Sequence, residues 1–231
     1  MKVLVIDDDT DVLEVVSLTF EMRWPGATIV AAQDGESGIQ MVDSESPSLV
    51  ILDIGLPDMD GYAVCQEIRR FSDVPIIILT VRDRESDIVK GLQVGADDYV
   101  AKPFRAIEFM ARVQSVLRRA QASPYTGGDE KPFQHSTLLV DFTHHEVFLD
   151  GKRVKLTPTE YQLLYHLTKN AGKVMTHRML LGRVWGREYL DETNYLKVHI
   201  KHLRQKLEDN PSDPRYILTE RTVGYKFTKA Q

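Results

Sequence analysis

The sequence predicts an α/β domain built on a doubly wound parallel sheet, followed by a smaller α+β domain. In the first half of the 231-residue chain, runs of four Val, Ile or Leu residues alternate with amphipathic helical patterns. Such runs are typical of strands that helices cover on both faces, as in parallel sheets. After residue 132 the pattern changes to short strands, turns and three helical segments.

The elements of the first domain follow in order along the chain. Strands are predicted at the apolar runs 3–6, 49–52, 76–79 and 99–101. Helices are predicted where apolar residues recur at three- and four-residue spacing, over residues 12–22, 36–42, 62–70, 84–94 and 107–119. About five alternations of strand and helix indicate a doubly wound sheet. Ligands bind outside the carboxyl ends of the strands in such sheets, so we expect the residues that follow each strand to meet.

The second domain begins with hairpins and continues with helices. A strand is predicted at 138–141, and the Asp150-Gly151 turn joins strands at 146–149 and 152–156. Thr157 is the predicted N-cap of a helix whose third residue, Glu160, closes a capping box. The remaining predicted elements are a helix from Thr176, a helix over about 191–207 and a hairpin over 216–227.

Composition separates the two halves as well. Residues 122–132, rich in Gly, Pro and charge, predict a linker between domains at 1–121 and 133–231. Residues 1–122 carry a net charge of −9 and residues 123–231 a net charge of +4, which suggests a cation or phosphate site in one and a polyanion partner for the other.

The composition also excludes some classes of protein. The single cysteine excludes an intrachain disulfide and a Cys-based zinc site. No apolar stretch approaches the roughly 18 residues that span a bilayer. The first predicted strand begins almost at the first residue, so we expect no signal peptide before it. We therefore expect a cytoplasmic protein that does not bind membranes.

Polar residues stand at the predicted rim, directly after the strands. They are the carboxylates Asp7, Asp8 and Asp53, the hydroxyl of Thr80 and the ammonium of Lys102. This set predicts a site for a divalent cation and a phosphoryl group. Asp53 is the candidate nucleophile, whose attack on a phosphoryl donor would give an acyl phosphate. Lys102 would compensate the charge of the phosphoryl oxygens, and Thr80 would donate a hydrogen bond to one of them.

Magnesium is the predicted cation, because it prefers near-octahedral oxygen ligands and keeps several waters. Its predicted protein ligands are Asp53, Asp7 or Asp8, and the Gly55 carbonyl. The alternative is that these acids only cap helices and turns, and for Asp9 capping is the favoured interpretation. Caps alone would not also require the hydroxyl and the ammonium. The Lys102-Pro103 bond is a candidate for the cis form.

These residues resemble the receiver domain of bacterial response regulators. The resemblance covers residues 1–121 and rests on Asp7-Asp8, Leu52-Asp53 with Leu56-Pro57 and Asp60-Gly61, Thr80, residues 95–99, and Lys102-Pro103-Phe104. It implies a flavodoxin-like (βα)5 fold, magnesium, and phosphorylation of Asp53 by a sensor histidine kinase. Thr80 and Tyr99 match the family's switch pair, in which the Thr moves toward the phosphoryl group and the aromatic ring turns inward. The alternative for Tyr99 is an ordinary strand aromatic.

The third predicted helix of the second domain has an apolar side and a basic polar side. The polar side consists of Asn194, Lys197, Lys201, His202, Arg204 and Lys206. Such a face suits the major groove of DNA, where these side chains reach phosphates and base edges. On pattern alone, a solvated helix face is the commoner explanation.

Residues 133–228 resemble the winged-helix domain of the OmpR/PhoB family. The resemblance rests on residues 156–160, 184–186, 193–207 and 219–227. It implies DNA contacts from the helix residues His199, Lys201, His202 and Arg204 and from the wing residues Thr219 and Arg221. Lys197, on the basic face of the helix, is a further predicted DNA contact. The wing's usual Arg-Gly pair is Arg221-Thr222 here, which predicts a stiffer tip. Lys201 and His202 lack the bidentate fork of Arg, so base preference does not carry over.

Two aromatic features of this domain leave alternatives open. Trp185 is either an exposed loop residue that contacts RNA polymerase or an anchor of the loop in the core. The pair His144-His145 could suggest a metal, but without acids or cysteines predicted nearby a structural role is favoured.

The combined resemblance implies a phosphorylation-switched transcriptional regulator and not an enzyme. It also implies a homodimer on phosphorylation, through the face formed by the fourth helix, fifth strand and fifth helix, and binding of direct-repeat DNA half-sites. The predicted intermolecular pairs are Asp97 with Arg119 and Asp98 with Arg112. The usual basic partner of Glu108 is replaced by Ile88, so we expect a weaker or partly apolar dimer.

Two rival classes remain for comparison. A haloacid-dehalogenase-type phosphatase would place a second Asp two positions after the nucleophile, where this chain has Gly55. An atypical regulator that works without phosphorylation usually lacks part of the acid, Thr and Lys set, which this chain keeps in full.

Overall fold

The computed structural model describes residues 1–121 and 131–229, and the chain divides into two compact units, Met1–Leu117 and Arg118–Gln231. The predicted linker, residues 122–132, lies outside the described residues except for its last two, so its assignment stays a prediction. No helix in the described part of the chain is both long enough and apolar enough to cross a membrane.

The first unit is built on a five-stranded, wholly parallel sheet in the order β2-β1-β3-β4-β5. The strands are β1 (Lys2–Ile6), β2 (Thr28–Ala32), β3 (Leu49–Leu52), β4 (Ile76–Thr80) and β5 (Asp98–Ala101). The predicted parallel sheet is confirmed. The strand missing from the prediction, β2, pairs only with β1 at the edge of the sheet, and its first four residues are exposed or half-buried. Because it lies at the edge, it lacks the all-apolar run by which the central strands were recognised.

Helices cover both faces of this sheet. They are α1 (Thr10–Arg23), α2 (Gly35–Glu45), α3 (Gly61–Phe71), α4 (Glu85–Gln93) and α5 (Ala106–Gln121). Leu4 and Ile6 of β1 belong to a core shared with α2 and α3, whereas Val3 and Val5 belong to a core shared with α1 and α5. Successive side chains of a strand point to opposite faces, so each buried strand supplies both cores. The flavodoxin-like fold is confirmed.

From residue 131 onward, the described part of the second unit contains two antiparallel sheets and three α-helices. The first sheet consists of β6 (Phe133–His135), β7 (Leu138–Asp141), β8 (Glu146–Leu149) and β9 (Lys152–Arg153). The helices are α6 (Pro158–Lys169), α7 (His177–Val184) and α8 (Thr193–Leu207), with a 3-10 turn at Arg187–Tyr189. The second sheet has the order β10-β12-β11 and consists of β10 (Val174–Thr176), β11 (Ile217–Glu220) and β12 (Gly224–Phe227).

The capping box predicted at the start of α6 is confirmed. Thr157 caps α6, and Glu160 closes the capping box by accepting a hydrogen bond from the Thr157 backbone N–H. The predicted strand at 152–156 is wrong beyond Arg153, because the chain leaves the sheet there to reach this N-cap.

Candidate functional site

The carboxyl ends of β1, β3 and β5 bring the predicted acids and the lysine together. Oxygen atoms of Asp7, Asp8 and Asp53 lie within 4.8 Å of one another. The Nζ atom of Lys102 donates to Asp7 Oδ2 at 2.6 Å and lies 3.5 Å from Asp53 Oδ2. Residues separated by up to 95 positions along the chain therefore form a single cluster, as the strand-end argument predicts.

The acids of this cluster differ in environment. Asp7 is buried, which raises the pKa of its carboxyl group, although the hydrogen bond from Lys102 opposes the shift. Asp8 is exposed, and Asp53 is half-buried with its Oδ1 accepting a hydrogen bond from the Ile54 N–H at 2.8 Å. Asp53 is thus the acid that combines contact with Lys102 and partial access to solvent.

The loop after β3 is held in place from several sides. A Cβ atom at Gly61 would collide with the backbone of Asp53 and Ile54, so only glycine allows this close approach. Asp58 accepts hydrogen bonds from the backbone N–H groups of Gly35 and Glu36 at the start of α2. Gly55 lies close to the Asp53 carboxylate. A Cβ atom built at Gly55 would be 3.4 Å from Asp53 Oδ2. The direction of its carbonyl toward a cation stays a prediction.

The donor set fits magnesium. Three carboxylates offer hard oxygen ligands, which is the chemistry that this ion prefers. Asp9 is not among them: its side chain accepts from the N–H groups of Asp11 and Val12 as the N-cap of α1, so the capping interpretation is confirmed.

The remaining predicted residues of the rim lie on β4 and β5. Thr80 ends β4 and is buried, and its carbonyl accepts the N–H of Lys102 at 2.7 Å. Tyr99 lies beside Ile78 in the sheet, with its ring buried and its hydroxyl donating to the Arg82 carbonyl at 2.6 Å. The Lys102-Pro103 bond is cis.

The residues of the predicted dimer pairs make contacts within the chain, and their intermolecular pairing stays a prediction. Asp97 is buried and bound to Arg69 at 2.9 Å within the first unit, whereas Arg119 is buried in the second unit, where its Nε donates to Thr159 Oγ1. Asp98 is fully buried, and its partner at 3.1 Å is Arg112 of the same chain. Neither carboxylate is exposed at the surface. Each is paired with an arginine of the same chain, as buried charges usually are.

Glu108 is exposed on α5 and lies 3.5 Å from Arg112. Its predicted role at a dimer interface is not tested by this contact and stays a prediction.

The basic helix α8 exposes a narrower set of residues than predicted. Lys197 and Lys201 are exposed, as is Gln205, which continues their four-residue spacing. The prediction that His199 faces DNA is wrong for this structure: the side chain is 3% exposed and its ring lies 5.3 Å from that of Trp185. Trp185 is itself fully buried, which decides for the core anchor.

Two further residues predicted to contact DNA are bound within the domain. Arg204 donates through Nη2 to the Ile217 carbonyl at 2.6 Å and to Thr219 Oγ1 at 2.8 Å, and burial lowers the pKa of its guanidinium. The Nδ1 atom of His202 lies 3.8 Å from Glu160 Oε1. Free rotation of these side chains toward base edges is therefore restricted. Arg221, at the wing tip, is exposed as predicted.

Sequence reasoning missed two features of the surface. Gln205 was not recognised, although its position four residues after Lys201 was the available signal. On α1, Val15, Leu18 and Met22 are 47%, 52% and 86% exposed and form an apolar stripe at three- and four-residue spacing. The periodicity that predicted α1 does not distinguish this exposed stripe from the buried one.

The histidine pair is a surface feature. His144 Nδ1 lies 2.9 Å from Asp141 Oδ2, and this contact raises the pKa of the imidazole, while the His145 ring stacks near that of Tyr161. The only candidate metal cluster among the described residues is the one at Asp53.

Comparison with known proteins agrees with this architecture. The family model of the response regulator receiver domain matches residues 3–114, and that of the C-terminal domain of transcriptional regulatory proteins matches residues 151–227. DrrB, an OmpR/PhoB homologue from Thermotoga maritima, is 34% identical, with 98% of each chain covered and a TM-score of 0.51. A mutant of RitR is 26% identical, with 99% of each chain covered and a TM-score of 0.77.

A two-component response regulator from Clostridium difficile is 32% identical, covering 53% of this chain and 99% of that chain, with a TM-score of 0.50. Both matched family models are those of a transcription regulator and not of an enzyme family. The chain therefore belongs to the OmpR/PhoB-type response regulators of two-component systems, with a receiver domain followed by a DNA-binding domain.

Proposed function

We propose that Asp53 accepts a phosphoryl group from a sensor histidine kinase in a magnesium-dependent reaction, and that this modification controls DNA binding by the second domain. The observation that carries the proposal is the position of the half-buried Asp53 carboxylate, 3.5 Å from Lys102 and within 4.8 Å of two further acids. We propose the domain bounds expected from the sequence, with the receiver at 1–121, the linker at 122–132 and the DNA-binding domain at 133–231.

The chemistry follows from the charges of the site. A carboxylate oxygen of Asp53 attacks the phosphorus of a phosphohistidine, so that an O–P bond forms while the N–P bond breaks and the leaving imidazole takes up a proton. Lys102 compensates the charge of the phosphoryl oxygens, and the Thr80 hydroxyl donates to one of them. Asp7, Asp8, Asp53 and the Gly55 carbonyl would hold magnesium, which would supply further neutralisation of the charge on these oxygens.

The apolar stripe of α1 supports a kinase partner. Val15, Leu18 and Met22 are exposed on the helix whose N-cap, Asp9, donates its N–H to Asp7 Oδ1 in the acidic cluster. Apolar patches rimmed by polar residues mark protein–protein contacts. A kinase docked on this stripe would approach Asp53 from the side of α1.

Dimerisation on phosphorylation is proposed through the face of α4, β5 and α5, with Asp97, Asp98, Glu108, Arg112 and Arg119 as its candidate charged residues. The carboxylates of Asp97 and Asp98 are already paired within the chain. Ile88 and Glu108 remain as contributors, which favours a weak, partly apolar dimer.

For DNA, we propose that Lys197, Lys201 and Gln205 enter the major groove and that Arg221 contacts the minor groove. Direct-repeat half-sites are expected, because domains on a flexible linker can bind head to tail. RNA polymerase is a proposed partner, contacted by residues other than the buried Trp185.

The test is labelling of the full chain with radioactive acetyl phosphate. Wild type and Asp9→Asn should be labelled, because Asn preserves the helix cap and Asp9 is outside the acidic cluster. Asp53→Asn should not be labelled, and EDTA should abolish labelling of wild type. Equal labelling of the Asp53 variant, or labelling unaffected by EDTA, would contradict the proposal.

A further inference from the structure

Two buried tyrosines from different elements hold the loop before α4 and the start of that helix. Tyr62, in the first turn of α3, and Tyr99, on β5, belong to the same core and are each 3% exposed. The Tyr99 hydroxyl donates to the Arg82 carbonyl at 2.6 Å, and the Tyr62 hydroxyl donates to the Asp87 carbonyl at 3.3 Å. Both phenols thus bind the backbone of the segment 82–87, which begins two residues after Thr80.

Two cationic side chains contact the ring of Tyr62, one from this segment and one from further along α4. The Nζ atom of Lys90 lies 3.9 Å from the ring centroid, and the guanidinium carbon of Arg82 lies 5.9 Å from it. Both distances are within the range of cation–π attraction. Lys90 also lies 3.8 Å from Asp60, which caps α3 by accepting the N–H of Tyr62. Tyr62 therefore links α3 to both ends of the segment 82–90.

The two tyrosines are also coupled to each other. Burial raises the pKa of both hydroxyls, and the two side chains interact, so each phenol stays protonated at neutral pH. At Gly91 of α4, a Cβ atom would lie 2.9 Å from Cδ2 of the Tyr99 ring. Helix α4 packs directly on this ring. If Tyr99 is displaced, either α4 moves with it or the contacts between Tyr62 and α4 break.

We propose that Tyr62 is a positioning residue of the phosphorylation switch, which acts through Tyr99 and α4 to set how the segment 80–93 responds to a phosphoryl group on Asp53. The inference rests on the proposed function of Asp53. Lys90, two residues after Ile88 in α4, already contacts Tyr62 and Asp60.

The test is amide hydrogen exchange of the full chain, with and without beryllofluoride and magnesium as a phosphoryl mimic. Tyr62→Phe keeps the ring and removes the hydroxyl. We expect residues 82–93 to exchange about five-fold faster than in wild type without the mimic, the effect of losing one hydrogen bond. The change induced by the mimic in this segment should also be smaller. Lys90→Gln, which keeps the hydroxyl but removes the cation, should accelerate the same segment.

The control is Tyr216→Phe, which removes a similarly buried phenol in the second unit and should leave residues 82–93 unchanged. Exchange equal to wild type in Tyr62→Phe, or acceleration spread evenly over the whole receiver, would overturn the proposal, because the latter indicates a merely structural role. If beryllofluoride fails to change exchange in wild type, the proposed role of Asp53 fails. The inference about Tyr62 as a switch residue then fails with it, while the mimic-free comparison still reports whether Tyr62 holds α4.

Discussion

Arg204, in the last turn of α8, and Glu208, the C-cap residue that follows this helix, bind the two backbone polar groups of the same residue, Ile217. Arg204 donates to the Ile217 carbonyl through Nε and Nη2, and Glu208 Oε1 accepts the Ile217 N–H at 2.9 Å. The Glu208 carboxylate also accepts the N–H groups of Arg215 and Tyr216. The start of β11, and with it the wing, is therefore fixed to the helix proposed to read DNA.

The first prediction concerns the stability of this connection. Glu208→Ala leaves three backbone donors without their acceptor and should lower the free energy of unfolding of the second domain by about 3 kcal/mol. Arg204→Ala should cost about 2 kcal/mol, because hydrogen bonds from a charged group are lost. Urea unfolding can be followed by the fluorescence of Trp185 in a chain carrying Trp24→Phe. The exposed Lys201→Ala is the control and should stay within about 0.5 kcal/mol of wild type. Loss of stability no larger than this in Glu208→Ala would contradict the prediction.

The second prediction separates contacts to phosphates from contacts to bases. Lys201→Ala, if one phosphate contact is lost, should weaken binding to all sequences alike and reduce the salt slope by about one unit. Gln205→Ala, if Gln205 reads a base edge, should cost about 1–3 kcal/mol on the preferred site only. Gel shifts on a selected and a scrambled site at several salt concentrations measure both quantities. Wild-type binding by both variants would exclude this face of α8 as the reading element.

The third prediction concerns the wing tip. Thr222 has a φ of 65°, in the left-handed region that favours glycine and costs a β-branched residue about 1–2 kcal/mol. Thr222→Gly should therefore raise the free energy of unfolding by about 0.5 kcal/mol, the strain relief being partly offset by the entropy of glycine. Val223→Gly, at the next position and without a positive φ, should lower it. Measured with the Trp185 signal, a Thr222→Gly chain less stable than wild type would show that the wing is not strained.

The receiver was largely predictable because its signals are local. Each central strand is an all-apolar run, and the residue that follows it must lie at the same rim whatever the detailed packing. The ion pairs were not predictable in this way. Arg69 lies 28 residues before Asp97, and nothing between them indicates that this arginine neutralises that carboxylate inside the domain. Matching positions in a family predict intermolecular pairs, but they carry no signal for the intramolecular pairs that Asp97 and Asp98 make here.

The DNA-binding helix shows a different limit. Periodicity separates the apolar side of α8 from the polar side, and that division is confirmed by the burial of Leu196, Ile200 and Leu203. It does not tell which polar side chains turn inward at the boundary. His199 packs against the ring of Trp185, and Arg204 turns to the Ile217 carbonyl, and in both cases the contacting group lies on another element.

The last prediction concerns acid stability. Partial burial and the nearby Arg183 lower the pKa of His166 from 6.5 to about 4. The imidazole of His166 therefore takes up a proton near pH 6.5 in the unfolded chain but only near pH 4 in the folded chain. Because the unfolded state binds more protons between these values, the free energy of unfolding falls as the pH decreases through this window. His166→Gln removes this contribution, and its stability relative to wild type should improve by about 2 kcal/mol between pH 7 and pH 4.5.

The matched control for this effect is His144→Gln. The pKa of His144 is raised by Asp141, so its contribution has the opposite sign: it is present below the ordinary pKa and is lost as the pH rises through the raised one. Urea unfolding by Trp185 fluorescence across this range measures both variants. If His166→Gln and wild type keep a constant difference in free energy from pH 7 to pH 4.5, the imidazole is not held neutral by burial, and acid sensitivity of this domain must come from its carboxylates.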